Sequence, residues 1–117
     1  MKTFVRLVIK VLVNNEIKLL AENNILPEME LGASPDIEWQ IIEFVESEYN
    51  LLPTICQPHL LSVKLISETL LLYYDFYYPK DYIDEKTIDK IVSVGNKFLD
   101  EDAIEIRQSI QVSPYQL

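Results

Sequence analysis

ETLLLYYDFYY, residues 68–78, is the stretch on which the fold turns. Side chains of a strand alternate between two faces, and a strand with one wet face alternates apolar with polar residues. Here both parities are apolar, with Asp75 the main interruption, so both faces of this strand are expected to be covered. Alternation sends Tyr74, Phe76 and Tyr78 to one face and Tyr73, Asp75 and Tyr77 to the other. Such a strand belongs inside a sheet that carries helices on both sides.

The segments around it supply the rest of that architecture. Upstream, HLLSVKLI (59–66) and LLPTI (51–55) read as short strands. GASPD (32–36) opens a helix over 36–49, with Ser34 as its N-cap and Pro35 at the first helical position. Ile37, Ile41, Val45 and Tyr49 form one apolar stripe along it, and Asn50 closes it in a left-handed conformation. Residues 3–13 and 16–21 are β-leaning runs joined by Asn14 and Asn15, a pair that tolerates positive φ, so they are expected to form a hairpin. Downstream, PKDYIDEKT (79–87) reads as a loop, IDKIVSV (88–94) as a strand, and DEDAIEIRQSI (100–110) as a helix with acids in its first turn. The expected whole is one α+β domain over residues 1–112, a mixed sheet between two helices, with 113–117 a frayed tail.

Composition excludes several functions. Two glycines in 117 residues cannot build a glycine-rich phosphate loop. Nineteen acidic against ten basic residues give a net charge of -9. That balance repels free nucleic acid and anionic membranes, and it suits either a solvated acidic surface or docking of a basic partner. No segment approaches the roughly 18 apolar residues that span a bilayer, and Arg6 and Lys10 interrupt the opening apolar run. A single cysteine, Cys56, permits no internal disulfide, which fits a cytoplasmic protein. Cys56 and the only histidine, His59, are too few ligands for a structural zinc site.

The element order, together with Leu26-Pro27, Gly32-Ala33-Ser34-Pro35 and EFVESEYNL (43–51), resembles the Nudix family of nucleotide pyrophosphohydrolases over about Phe4 to Ile110. The resemblance implies an α/β/α sandwich and a helix whose glutamates hold magnesium or manganese against a diphosphate. This sequence departs from the family pattern: Glu28 and Met29 stand in place of the glycine pair, and Ala33 in place of the loop glutamate. The resemblance implies two ligand glutamates on one edge of the buried apolar residue, about 100° and 60° away from it; on a helix turning about 100° per residue, a buried Val45 puts Phe44 and Glu48 there. A buried Phe44 would put Glu43 and Ser47 there instead. The continuous apolar stripe favours the first register, which leaves a hydrophobic side chain in a ligand position.

The expectation is therefore a Nudix-like domain with a degraded metal site, acting as a binding or regulatory module for a protein partner or a nucleotide-like ligand. The partner is expected to be another protein or, in a homo-oligomer, a second copy of the chain, and a reading of a different class makes the chain a purely structural subunit of a larger assembly. On this reading no cofactor is needed. If the chain is instead a divergent hydrolase, Glu43, Glu48 and Glu101 are the catalytic candidates. Glu43, Glu46 and Glu48 would then hold Mg or Mn weakly. Trp39, which falls off the apolar stripe, and Tyr74, Asp75 and Tyr77 of the aromatic strand are the candidates for contacting a ligand or partner.

Overall fold

The structure, a computed structural model, describes residues 1–112. Its strands are β1 (Lys2–Val13), β2 (Glu16–Leu20), β3 (Glu28–Glu30), β4 (His59–Ile66), β5 (Thr69–Tyr77) and β6 (Ile91–Ser93). Its helices are α1 (Ile37–Tyr49), α2 (Glu85–Ile88) and α3 (Ala103–Ile110). The central pair is β1 and β5, which run parallel from Lys2 opposite Thr69 to Lys10 opposite Tyr77. All other pairings are antiparallel, giving a mixed sheet of order β4-β5-β1-β2-β6.

The outer edge of β1 takes two partners in succession. β3 pairs with Phe4–Arg6 and β2 with Lys10–Val13. Between them the Leu7 amide donates to the Pro27 carbonyl at 2.9 Å, so the chain stays bonded across the gap. The β1–β2 turn is built as expected, with φ of 52° at Asn14 and 65° at Asn15. Asn23 and Asn24 repeat the device, at 54° and 60°, inside the Glu22–Ile25 bridge.

Helices cover both faces. Ile41 and Val45 of α1 are fully buried against Val5, Leu7, Ile9, Leu72, Tyr74 and Phe76. On the opposite face Ile106 of α3 packs with Val8, Leu71 and Tyr73. The aromatic strand is thus central and two-sided, as its sequence requires. Asn50 ends α1 with φ 56°, its amide donating back to the Glu46 and Val45 carbonyls.

Several local expectations are corrected. Asp36, not Ser34, caps α1: it is extended at φ -89°, and its carboxylate accepts from the Trp39 amide at 2.9 Å. Pro35 therefore lies before the cap. LLPTI forms a turn and no strand, because Leu51 is drawn under the end of α1, its amide donating to the Val45 carbonyl at 3.3 Å. The 79–87 loop contains a 3-10 turn (Lys80–Tyr82) and α2, the latter capped by Asp84 accepting from the Thr87 amide at 2.8 Å. The strand read over 88–94 shortens to Ile91–Ser93, since Ile88 closes α2. The C-terminal helix opens as a 3-10 turn over Asp100–Asp102. The expected frayed tail, 113–117, lies outside the described residues.

Candidate functional site

The rotation of α1 decides what its glutamates can do. With Ile41 and Val45 buried, Phe44 turns to the edge of the helix and stands half-buried there. Its ring meets Tyr49 edge to face, with centroids 6.1 Å apart. Phe44 separates two surface hollows. One, about 310 Å³, is lined by Met29, Gln40, Glu43 and Ser47 as well as Phe44. The other, about 500 Å³, brings Glu48 together with Glu22 and Glu28.

Two of the three acids in the larger hollow already have cationic partners. Glu22 pairs with Lys90 at 3.3 Å, and Glu28 accepts from Nε of Arg6 at 2.9 Å. Burial, then the charges of Glu22 and Glu48, push the Tyr49 phenol up to about 12. Glu43 lines the other hollow, and Glu46 lines neither. Burial first, and Glu46 second, push the Cys56 thiol up to about 11. Thus Glu43, Glu46 and Glu48 are close in sequence but do not converge. Among the described residues no three His, Cys, Asp or Glu side chains are grouped as metal ligands. Magnesium keeps its waters unless several carboxylates or phosphates replace them, so this donor set does not fit the ion that the family resemblance implies.

Glu101 lies elsewhere, on the α3 face. Arg6 of β1 reaches it there and also donates Nη1 to Asp102 at 2.8 Å. Asp102 is fully buried; the same oxygen accepts from the Tyr73 hydroxyl at 2.5 Å, while Oδ2 has no partner among the described residues. Burial alone would lower the pKa of Arg6, but its hydrogen bonds to Glu28, Glu101 and Asp102 outweigh this and raise it. Burial, then Asp102, raises the Tyr73 phenol. Arg6, Glu28 and Glu101 also line a hollow of about 310 Å³ beside Phe4 and Leu71. Glu28 is shared between this hollow and the one at Glu48.

The candidate contact residues are likewise divided. Trp39 is 55% exposed on the outer side of α1. Tyr74 is buried beneath the start of that helix, where burial and then Glu38 raise its phenol. Asp75 and Tyr77 face α3. Asp75 accepts from the Ser109 hydroxyl at 2.6 Å and pairs with the buried Lys10 at 3.3 Å. Lys10 also donates to the Ser109 carbonyl at 3.0 Å and lies 4.1 Å from the Tyr77 ring centroid. Burial lowers the pKa of Lys10, and Asp75 opposes that shift. The Tyr77 hydroxyl donates to the Val112 carbonyl at 2.6 Å. Tyr74 therefore does not share a surface with Asp75 and Tyr77, and the Asp75 carboxylate is engaged within the core.

From the sequence, Asp102 was weighed with Glu101 as a possible general base, whereas Ser109 was not singled out and Arg6 and Lys10 were read only as breaks in an apolar run. Arg6 and Lys10 did carry a signal, as two cations of like parity in an otherwise apolar strand. Both point to the α3 face and join β1 to the last helix.

Two solved structures resemble this arrangement over nearly its whole length. A crystal structure of C. elegans Ap4A hydrolase superposes with a TM-score of 0.63 at 14% identity, covering 95% of this chain and 97% of that one. The complex between the C-terminal domain of mouse MUTYH and human PCNA gives 0.60 at 8% identity, covering 95% and 90%. The shared architecture is the Nudix fold, and at these identities the likeness carries the fold alone. No protein-family model matches the chain, and no curated protein does.

Proposed function

We propose that this Nudix-like domain is a binding or regulatory module, its occupant a protein partner or a nucleotide-like ligand, and that it is not an efficient pyrophosphohydrolase. The observation that carries this reading is Phe44. It fills the helix edge where the family resemblance expects a carboxylate, and it separates Glu43 from Glu48. Glu22 and Glu28, the other acids near Glu48, are paired with Lys90 and Arg6. A protein-binding role also has a parallel in the structure of the MUTYH domain with PCNA.

The likeness to an Ap4A hydrolase supports one rival, a divergent Mg- or Mn-dependent hydrolase of nucleoside diphosphate derivatives that uses Glu43, Glu48 and Glu101. The test is a hydrolysis assay with purified protein, millimolar magnesium or manganese, and dinucleoside polyphosphates or nucleoside diphosphate derivatives. The expected result is turnover barely above background, with no gain on Phe44→Glu alone, because Ser47 and the altered loop at Glu28, Met29 and Ala33 remain. Turnover on the order of 1 per second or faster, abolished by Glu43→Gln or Glu48→Gln, would overturn the proposal.

A further inference from the structure

Every sheet but a closed barrel has edges, and an edge strand presents a row of unpaired amides and carbonyls to any extended chain that can reach it. Here β4 is such an edge: it bonds to β5 on one side, and among the described residues nothing pairs with its other side. At eight residues it is long for an exposed edge; its sequence HLLSVKLI has no proline, and the one irregularity in its pairing is a register shift between Leu60 and Ser62. Its single lysine is turned onto the α3 face, where Lys64 pairs with Glu105 at 2.7 Å.

The other face of β4 is bare. Leu60, Val63 and Leu65 are 55%, 53% and 64% exposed. They stand opposite Tyr74, Leu72 and Leu70 of β5, whose side chains belong to the α1-side core. The three therefore project on the α1 face, beyond the reach of α1 itself. We propose that this edge and its apolar stripe dock an extended segment of a partner protein, alternating apolar with basic residues, which adds to the sheet as a further strand.

Charge selects the partner. β4 contains no carboxylate, but acids flank it: Glu68 in the turn to β5, and Asp36 and Glu38 beside Tyr74, the residue paired with Leu60. A second copy of this chain would bring another net -9 to the contact. Leu60, Val63 and Leu65 are also a small surface for a second copy, since a stable dimer buries about 800 Å² per partner. Strand addition needs less, because main-chain hydrogen bonds supply the affinity and alternate side chains the selectivity. The inference rests on the binding-module reading and names its surface.

The experiment uses the full chain, isotope-labelled, with a capped decapeptide of alternating valine and lysine as the probe. A valine–glutamate decapeptide is the control. The lysine peptide is expected to bind saturably, with a dissociation constant on the order of 10–100 µM, and to slow hydrogen exchange of outward β4 amides about tenfold or more at saturation. The glutamate peptide should bind at least about tenfold more weakly, and Leu65→Lys should cost about tenfold in affinity for the lysine peptide without lowering the melting temperature. Leu65→Thr, which keeps strand propensity, is the second variant, with an expected loss of about threefold. No binding of the lysine peptide, equal binding of both peptides, or a dimer in sedimentation that Leu65→Lys dissolves would overturn the proposal. So would binding whose shifts map around Trp39 and leave β4 unmoved, although the binding-module reading would survive that result. Failure of that broader reading is seen separately, as turnover in the hydrolysis assay.

Discussion

Replacing Arg6 by methionine tests whether one guanidinium ties β1, β3 and the C-terminal helix together. Methionine keeps the length and the apolar stem and removes the charge. The three carboxylates that Arg6 serves then respond differently. Glu28 and Glu101 are 40% and 39% exposed and can turn to water, so each of those pairs contributes at most about 1 kcal/mol. Asp102 has no exposure and would keep only the Tyr73 hydroxyl. Breaking a buried pair from one side costs about 3–5 kcal/mol, a large part of the roughly 5–15 kcal/mol that holds a domain of this size. With a urea m-value near 1–1.5 kcal/mol/M, the unfolding midpoint should fall by about 2–5 M. Asp102→Leu, added to Arg6→Met, removes the stranded charge, so the double variant should recover most of the loss. A double-mutant cycle by urea denaturation measures this. An Arg6→Met cost below about 1 kcal/mol, or simple additivity of the two changes, would refute the network as a stabilising unit.

Other expectations follow from the same geometry. Phe76 is 3% exposed in the α1-side core, so Phe76→Ala should cost about 3–5 kcal/mol by chemical denaturation, and a near-neutral result would remove it from the core. Asp36→Ala removes the cap of α1 and should cost about 1 kcal/mol, whereas Ser34→Ala should change stability by a few tenths at most. Alkaline titration reports Cys56 and Tyr49. Each holds its proton in the folded chain above its ordinary value, so the stability each contributes is complete at neutral pH. It is lost as pH rises from about 9 to 11 for Cys56 and from about 10 to 12 for Tyr49. Cys56→Ala and Tyr49→Phe should each flatten the fall in unfolding free energy over its own window, and unchanged slopes would contradict the assignment.

Features governed by local stereochemistry or by simple periodicity were legible in the sequence. Asn14, Asn15 and Asn50 sit at positive φ because their short amide side chains tolerate it. The stripe through Ile41 and Val45 fixed the rotation of α1, and hence the outward placement of Phe44. Where two local solutions compete, the sequence misled. Ser34 and Asp36 can each cap a helix, and the chain used the one nearer the stripe. LLPTI has strand-like composition, but Leu51 finds its place under α1 instead. β3 is too short to announce itself: its three residues, Glu28–Glu30, owe their strand form to β1 alongside them. The charged part of the site was the least legible, because Arg6 meets Asp102 and Lys10 meets Ser109 only once the parallel pairing and α3 are in place. Spacing along a chain carries no information about such distant encounters.

The placement of Arg6 and Lys10 bears on how the chain survives its own synthesis. β1 can fold back on β2 within microseconds through its two-residue turn. At roughly 5–20 residues per second, β5 and α3 follow only seconds later. Throughout that interval FVRLVIKVLV (4–13) is an apolar strand with one edge unclaimed, the kind of segment that joins its own copies into aggregates. The two cations break the run while their partners do not yet exist, and like charges on neighbouring copies keep those copies apart. When α3 arrives, Asp102 and Ser109 enclose the same two groups, and gatekeepers become clasps.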